Sequence, residues 1–340
     1  MRSWVAGAVA LLAAVVIIPP ASAGEQLLMP DLRQAPPGCH GGYTGDPAEC
    51  EDWDVCMVAD ADAPNGDCIG AGIVLRKPVK AVRLRFTTAE ENVGQGPLLL
   101  FGRRAVNSPT MEVRQGFQAG RHGQIPVSYT EARQQTNNSM YYEPAPMHRH
   151  WHLMGFEQMQ LRTPDGRTVV RDRKNGFCLG DRYANDANET LPNAPRVADT
   201  PEYRLSEYLR DNRCAFDTPG ATDVKVGISV GQGDDYRYDV DFQWLDITSM
   251  PSGTYDLVNT VNSTRTLLES DYTNNSSSMA LSIQWPQGAK QAPQKIVAPP
   301  TVKLLAGCPG QERCAATQHL RPRVSSDRIV HPKGEPRRHH

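Results

Sequence analysis

Met147-His148-Arg149-His150-Trp151-His152-Leu153 sets three histidines at alternate positions, and nowhere else in the 340-residue chain do three imidazoles fall so close together. The spacing discriminates between backbones. On an extended strand residues i, i+2 and i+4 point to one side, so His148, His150 and His152 can aim three imidazoles at one ion, whereas on a helix they splay apart. Three neutral imidazoles suit copper or zinc, and the spacing does not choose between them. Trp151 then falls on the opposite side, available to a core.

The N-terminus reads as a secretory signal over residues 1–23: Arg2, an apolar run from Trp4 to Ile18, and Ala21-Ser22-Ala23 before Gly24. That run is shorter than the roughly 20 residues of a membrane span, and no later stretch is apolar enough to cross. The expectation is a secreted, extracellular protein whose eight cysteines can be oxidised. Cys39, Cys50, Cys56 and Cys68 admit three pairings among which sequence does not choose. Cys178 and Cys214 bracket a loop-rich insertion and are expected to pair, and Cys308 and Cys314 can close a small loop.

The net charge of −2 hides an uneven distribution. Lys290 to His340 carries +7, which leaves −10 for residues 24–289. An acidic body attracts cationic substrates and argues against a nucleic-acid partner, while a basic Pro-rich tail over 289–340 is expected to be disordered, with polyanions as the partner its charge favours.

Between signal and tail, residues 24–288 read as one catalytic domain, mainly β, antiparallel and β-sandwich-like, with long irregular loops and few helices. Strands are expected at Ile73-Val74-Leu75, Ala81–Phe86, Leu98–Phe101, Phe156–Leu161 with Thr168–Lys174 as its hairpin partner, Val224–Val230, Tyr238–Ile247, Thr254–Val261 and Met279–Trp285. The polar stretch from Arg103 to Met140 shows no sustained period and reads as long loops. One helix is expected near Pro201–Leu209.

Four separated stretches together resemble the catalytic domain of the lysyl oxidase family, in the family's order. His148-Arg149-His150-Trp151-His152 is similar to its copper-binding run. Lys174, followed by Gly176-Phe177-Cys178-Leu179, resembles the segment whose lysine enters the quinone cofactor. Tyr236, ahead of Asp239-Val240-Asp241-Phe242-Gln243-Trp244, occupies the place of the tyrosine that forms its other half. Glu269-Ser270-Asp271-Tyr272-Thr273-Asn274-Asn275 resembles the family's acidic motif, and Pro30-Asp31-Leu32 its domain start. Three features depart from the animal members: Tyr141, Tyr142 and Glu143 stand where a further histidine precedes the copper run, Gln158 stands in the region where another follows it, and the cysteine pattern differs.

The resemblance implies a copper-dependent amine oxidase with a lysine tyrosylquinone cofactor made from Lys174 and Tyr236. It implies that a primary amine or protein lysine condenses with the quinone, that a base removes the α-proton, and that an aldehyde, ammonia and, from oxygen, hydrogen peroxide are released. Asp239 and Asp241 are the candidate bases, because their segment leads directly from Tyr236. Glu269, Asp271, Asn274 and Asn275 offer the hard oxygens calcium prefers, and the resemblance adds Asp31 and the Leu32 carbonyl to that structural site. Two other readings compete: a secreted copper-binding protein that keeps the fold without turnover, and a zinc hydrolase using the same histidines, for which no catalytic carboxylate stands in a recognised spacing.

Overall fold

The structure, a computed structural model, describes residues 26–70, 78–174 and 176–317. The signal reading, the strand expected at Ile73-Val74-Leu75 and the chain after 317 lie outside the described residues. Strands dominate, and every described pairing is antiparallel. A six-stranded sheet runs in the order Gly176–Phe177, His150–Met154, Gln134–Glu143, Thr110–Gly116, Leu98–Arg103, Asp223–Ile228. A five-stranded sheet runs Thr168–Arg171, Glu157–Arg162, Gly253–Val261, Ser276–Gln284, Thr301–Cys308. Smaller sheets link these two: Tyr183–Ala184, Gln232–Tyr236, Thr88–Asn92, Leu32–Gln34 in one, and Trp244–Asp246, Ala81–Phe86, Trp53–Val58 in the other.

Two main cores follow from the inward faces. Leu98, Leu100, Met111, Val113, Met140, Trp151 and Leu153 pack under the six-stranded sheet. Val82, Leu84 and Phe86 pack with Leu161, Leu257, Met279, Leu281 and Trp285 on the five-stranded one. Each such side chain contributes about 1.5–3 kcal/mol on removal from water. The other face of Ala81–Phe86 is buried too. Arg83 donates to the carbonyls of Asn65, Ala63 and Ala61 and lies 3.8 Å over the Trp244 ring, while Arg85 is paired with Asp54. A strand expected to be half-buried can therefore bury two guanidinium groups, because the terminal nitrogens of Arg83 find carbonyls and Arg85 finds a carboxylate, although Arg83 Nε stays without a partner.

Three expectations are corrected. The stretch from Arg103 to Met140 contains the strands Thr110–Gly116 and Gln134–Glu143. Only Met111, Val113 and Met140 on them are large apolar core residues, so the polar outer faces obscure the period. Tyr238–Ile247 is a strand only over Trp244–Asp246. Its first half turns, with Phe242 at φ +62° and its N–H donating to the Pro64 carbonyl at 2.8 Å, so the alternating aromatics do not share a sheet face. In the tail, Thr301–Cys308 is ordered as an edge strand on Ser276–Gln284. Val302 enters the core there, and Cys308 pairs with Cys314 to hold the end.

The remaining disulfides are Cys39–Cys50, Cys56–Cys68 and the expected Cys178–Cys214. The expected helix is Pro201–Arg210, started by Thr200, whose hydroxyl accepts from the Tyr203 N–H, and by Pro201 at its first turn. At its far end Arg182 donates to the carbonyls of Leu209, Arg210 and Asn212. No described helix is long and apolar enough to cross a membrane.

Candidate functional site

His150 and His152 lie on the strand His150–Met154, facing one side as the alternation requires, with Trp151 buried opposite. His148 does not. It sits in a turn whose N–H groups at 148 and 149 both donate to the Ala145 carbonyl, and Arg149 follows at φ +47°. A left-handed arginine costs about 1–2 kcal/mol. It is held there by Asp217, whose side chain lies 3.2 Å from the guanidinium and whose N–H donates to the Arg149 carbonyl at 2.8 Å. The turn, rather than strand alternation, swings the His148 ring to 4.8 Å from that of His152 and 5.4 Å from that of His150.

The three imidazoles offer ligand nitrogens within 4.8 Å of one another. His150 and His152 bring their Nε2 atoms to 2.9 Å, and Nδ1 of both His148 and His152 is buried without a hydrogen-bond partner. Burial lowers all three pKa values, that of His150 to about 3, so the rings are neutral and carry lone pairs. Three largely buried, neutral imidazoles converging on one spot fit a transition-metal ion. Asp241 lies 3.6 Å from His148 Nδ1 and accepts from the Met147 N–H, as an orienting carboxylate does. Asp239 pairs instead with Arg237 at the surface.

Lys174 reaches this cluster because Gly176–Phe177 pairs with Leu153 and Met154. Gly176 is required at that crossing: a Cβ there would lie 2.5 Å from the His152 Cβ. The Lys174 Nζ is buried without a hydrogen-bond partner, 5.1 Å from the Phe177 ring centre and 4.8 Å from that of Tyr236. Burial pushes its pKa down to about 8 against the pull of Glu157, Asp241, Glu90 and Asp234. Tyr236, ending the strand Gln232–Tyr236, stacks edge-on to Phe177 and donates from its hydroxyl to the Cys178 carbonyl at 2.7 Å. The Cys178–Cys214 bridge and the Trp151 N–H donating to the Cys214 carbonyl clamp both halves of the site together.

Sequence reasoning missed the carboxyl groups around Lys174. Glu90 and Glu157 are fully buried against one another, and burial is the main reason both are pushed up. Asp172 and Asp234 are pushed up to about 7, again chiefly by burial. Only Asp172 and Asp234, which stand two residues before Lys174 and Tyr236 respectively, carried a local signal.

The acidic residues near the end of the domain form a separate hub. Glu269 accepts from the N–H of Leu32 and from the amides of Asn262 and Asn275, and Asn274 donates to Asp31 at 2.7 Å. The Oδ1 atoms of Asn274 and Asn275 are buried without partners, whereas Asp271 faces solvent. This hub fastens the strand Leu32–Gln34 to the last strands.

The mainly-β fold thus places a three-imidazole cluster beside a buried lysine–tyrosine pair. Residues 193–287 match the family model described as Lysyl oxidase, a stretch that includes Tyr236 and Glu269–Asn275. Lysyl oxidase homolog 2B of Danio rerio is 29% identical over 170 residues, 50% of this chain and 18% of that protein. Lysyl oxidase homolog 3 of Homo sapiens is 32% identical over 129 residues, 38% of this chain and 14% of that protein. The family-model match and the similarity to these homologs support the lysyl oxidase family for this chain. The chain aligns with less than a fifth of the length of these relatives.

Proposed function

We propose that the protein is a secreted copper-dependent amine oxidase that deaminates protein lysine or other primary amines to aldehydes, with release of hydrogen peroxide and ammonia. The observation that carries this reading is the approach of Lys174 Nζ to 4.8 Å from the Tyr236 ring centre, beside the three histidines.

His148, His150 and His152 would hold the copper, with Asp241 fixing the His148 ring. Bound copper would supply the redox chemistry for oxidising the Tyr236 ring, and a quinone made from Lys174 and Tyr236 would supply an electrophilic carbonyl for the amine substrate. The protein's own part is placement. Phe177 and the Cys178 carbonyl hold the Tyr236 ring, and burial brings the pKa of the Lys174 amine down to about 8, so that about a tenth of it is the neutral nucleophile at pH 7. Of the two candidate bases, Asp241 lies at the site and Asp239 at the surface, so Asp241 is the better placed. For calcium, Asp31, the Leu32 carbonyl, Glu269, Asp271, Asn274 and Asn275 would be the ligands; the unpartnered amide oxygens support this, and the role would be structural.

Copper-loaded protein should yield a covalent Lys174–Tyr236 peptide pair on tryptic mass spectrometry, together with amine-dependent peroxide. Copper bound in proportion to protein with no cross-link would instead favour the non-catalytic copper-binding reading.

A further inference from the structure

Asp234 has no role in the reading above. It lies two residues before Tyr236 on the same strand, is 1% exposed, and its Oδ2 accepts from the Tyr236 hydroxyl at 3.2 Å. The rest of the carboxylate is anchored. Oδ2 also accepts from the Gly180 N–H at 3.0 Å, and Oδ1 accepts from the Asp235 N–H at 3.0 Å and faces Arg182 Nε at 3.5 Å. Arg182 cannot swing away, because its guanidinium is held by the three carbonyls at the end of the helix Pro201–Arg210. The other oxygen at the Tyr236 hydroxyl, the Cys178 carbonyl, is a peptide oxygen that can accept a hydrogen bond but cannot take up a proton at ordinary pH.

We propose that Asp234 is the proton acceptor for the Tyr236 phenol during formation of the Lys174–Tyr236 cofactor, an inference that rests on the oxidase reading. The step is a proton transfer: the Tyr236 Oη–H bond breaks, an Oδ2–H bond forms, the phenol becomes phenolate and the carboxylate becomes the acid. No electrons move in it. Over the whole conversion the ring and the amine lose four hydrogens to two molecules of dioxygen, which leave as one water and one hydrogen peroxide, the remaining oxygen atom staying on the ring.

The surroundings suit the task. Burial raises the Asp234 carboxyl, Arg182 opposes it and Asp235 adds to it, with the outcome at about 7, so the group exchanges its proton in the neutral range. Glu90 stands opposite on the neighbouring strand, and Lys174 and Tyr183 also feel its charge. The phenol itself is pushed well above its ordinary range by burial, so an acceptor within hydrogen-bond reach is needed for it to ionise.

The test follows the cross-linked peptide, not turnover. Metal-free mature protein is given copper(II) in air, and the Lys174–Tyr236 pair is quantified by mass spectrometry across the range from about pH 5.5 to 9. Asp234→Asn is expected to bind copper in proportion to protein, to form its four disulfides, and to cross-link at least ~100-fold more slowly. A copper-bound Asp234→Asn that cross-links at the wild-type rate overturns the assignment while leaving the oxidase reading intact. If that variant binds no copper, Lys174→Met decides, since it removes the lysine's own titration. Oxidation of the Tyr236 peptide in it should slow about tenfold per pH unit below about 7, and a flat profile overturns the assignment. A wild-type protein that never cross-links overturns the oxidase reading, and this inference with it.

Discussion

The Lys174 amine and the Tyr236 ring meet at 4.8 Å inside the protein, and the amine nitrogen has no hydrogen-bond partner. A buried amine without an acceptor is costly if it serves only the fold. Beside an aromatic ring and a histidine cluster, the same placement is what a cross-linking nucleophile requires.

The pH dependence of cofactor formation follows from that burial. Lys174 has a folded pKa of about 8, below its ordinary value, so the amine is neutral above that pH and protonated below it. In the wild-type protein the rate of cross-linked peptide formation should rise with pH and level off above about 8. Lys174→Arg, which stays charged, should retain copper and form no cross-link.

Asp241 and Asp239 should separate cleanly. Asp241→Asn is expected to weaken copper binding about 10–100-fold, because it removes the carboxylate that orients His148. Asp239→Asn should leave copper affinity unchanged, since its partner is Arg237 at the surface. Competition titration against a chelator measures both. Unchanged copper affinity in Asp241→Asn with lost turnover would make Asp241 a base and not an orienting group.

Glu269→Ala strips the acceptor from three buried donors, the Leu32 N–H and the amides of Asn262 and Asn275. Loss of about 3 kcal/mol is expected in denaturant unfolding, with faster proteolysis near Leu32. If these residues hold calcium, a calcium chelator should lower the melting temperature of the wild type and have little effect on this variant.

Truncation after Pro300 tests where the domain ends. It deletes the edge strand Thr301–Cys308, removes Val302 from the core and bares the strand Ser276–Gln284. The shortened protein should be less stable and should aggregate, read by light scattering, because an uncovered central strand offers its backbone to another chain.

Much of the fold was legible where one face is apolar. Ala81–Phe86, Glu157–Arg162 with its hairpin partner, Gly253–Val261 and the helix Pro201–Arg210 all follow from local pattern and end signals. Thr110–Gly116 and Gln134–Glu143 were not legible, because a strand with one wet face and few large core residues looks like loop. Tyr238–Gln243 misled in the opposite sense: its aromatics alternate, yet hydrogen bonds from Asn65 to the Asp239 carbonyl and from Phe242 to Pro64 hold it in a turn.

By itself the sequence determined the chemistry available here: three imidazoles within five residues, one lysine and one tyrosine in motifs of their own, and cysteines able to lock the chain. These are properties of side-chain type and local order, which need no fold to be read. The tertiary structure alone decided that His148 reaches its partners through a left-handed turn at Arg149, and that Lys174 is stripped of water beside Tyr236. It also decided that Glu90, Glu157 and Asp234 surround that pair. The physical reason is that desolvation and cross-strand approach depend on which distant segments pair, and no local period in the chain encodes that.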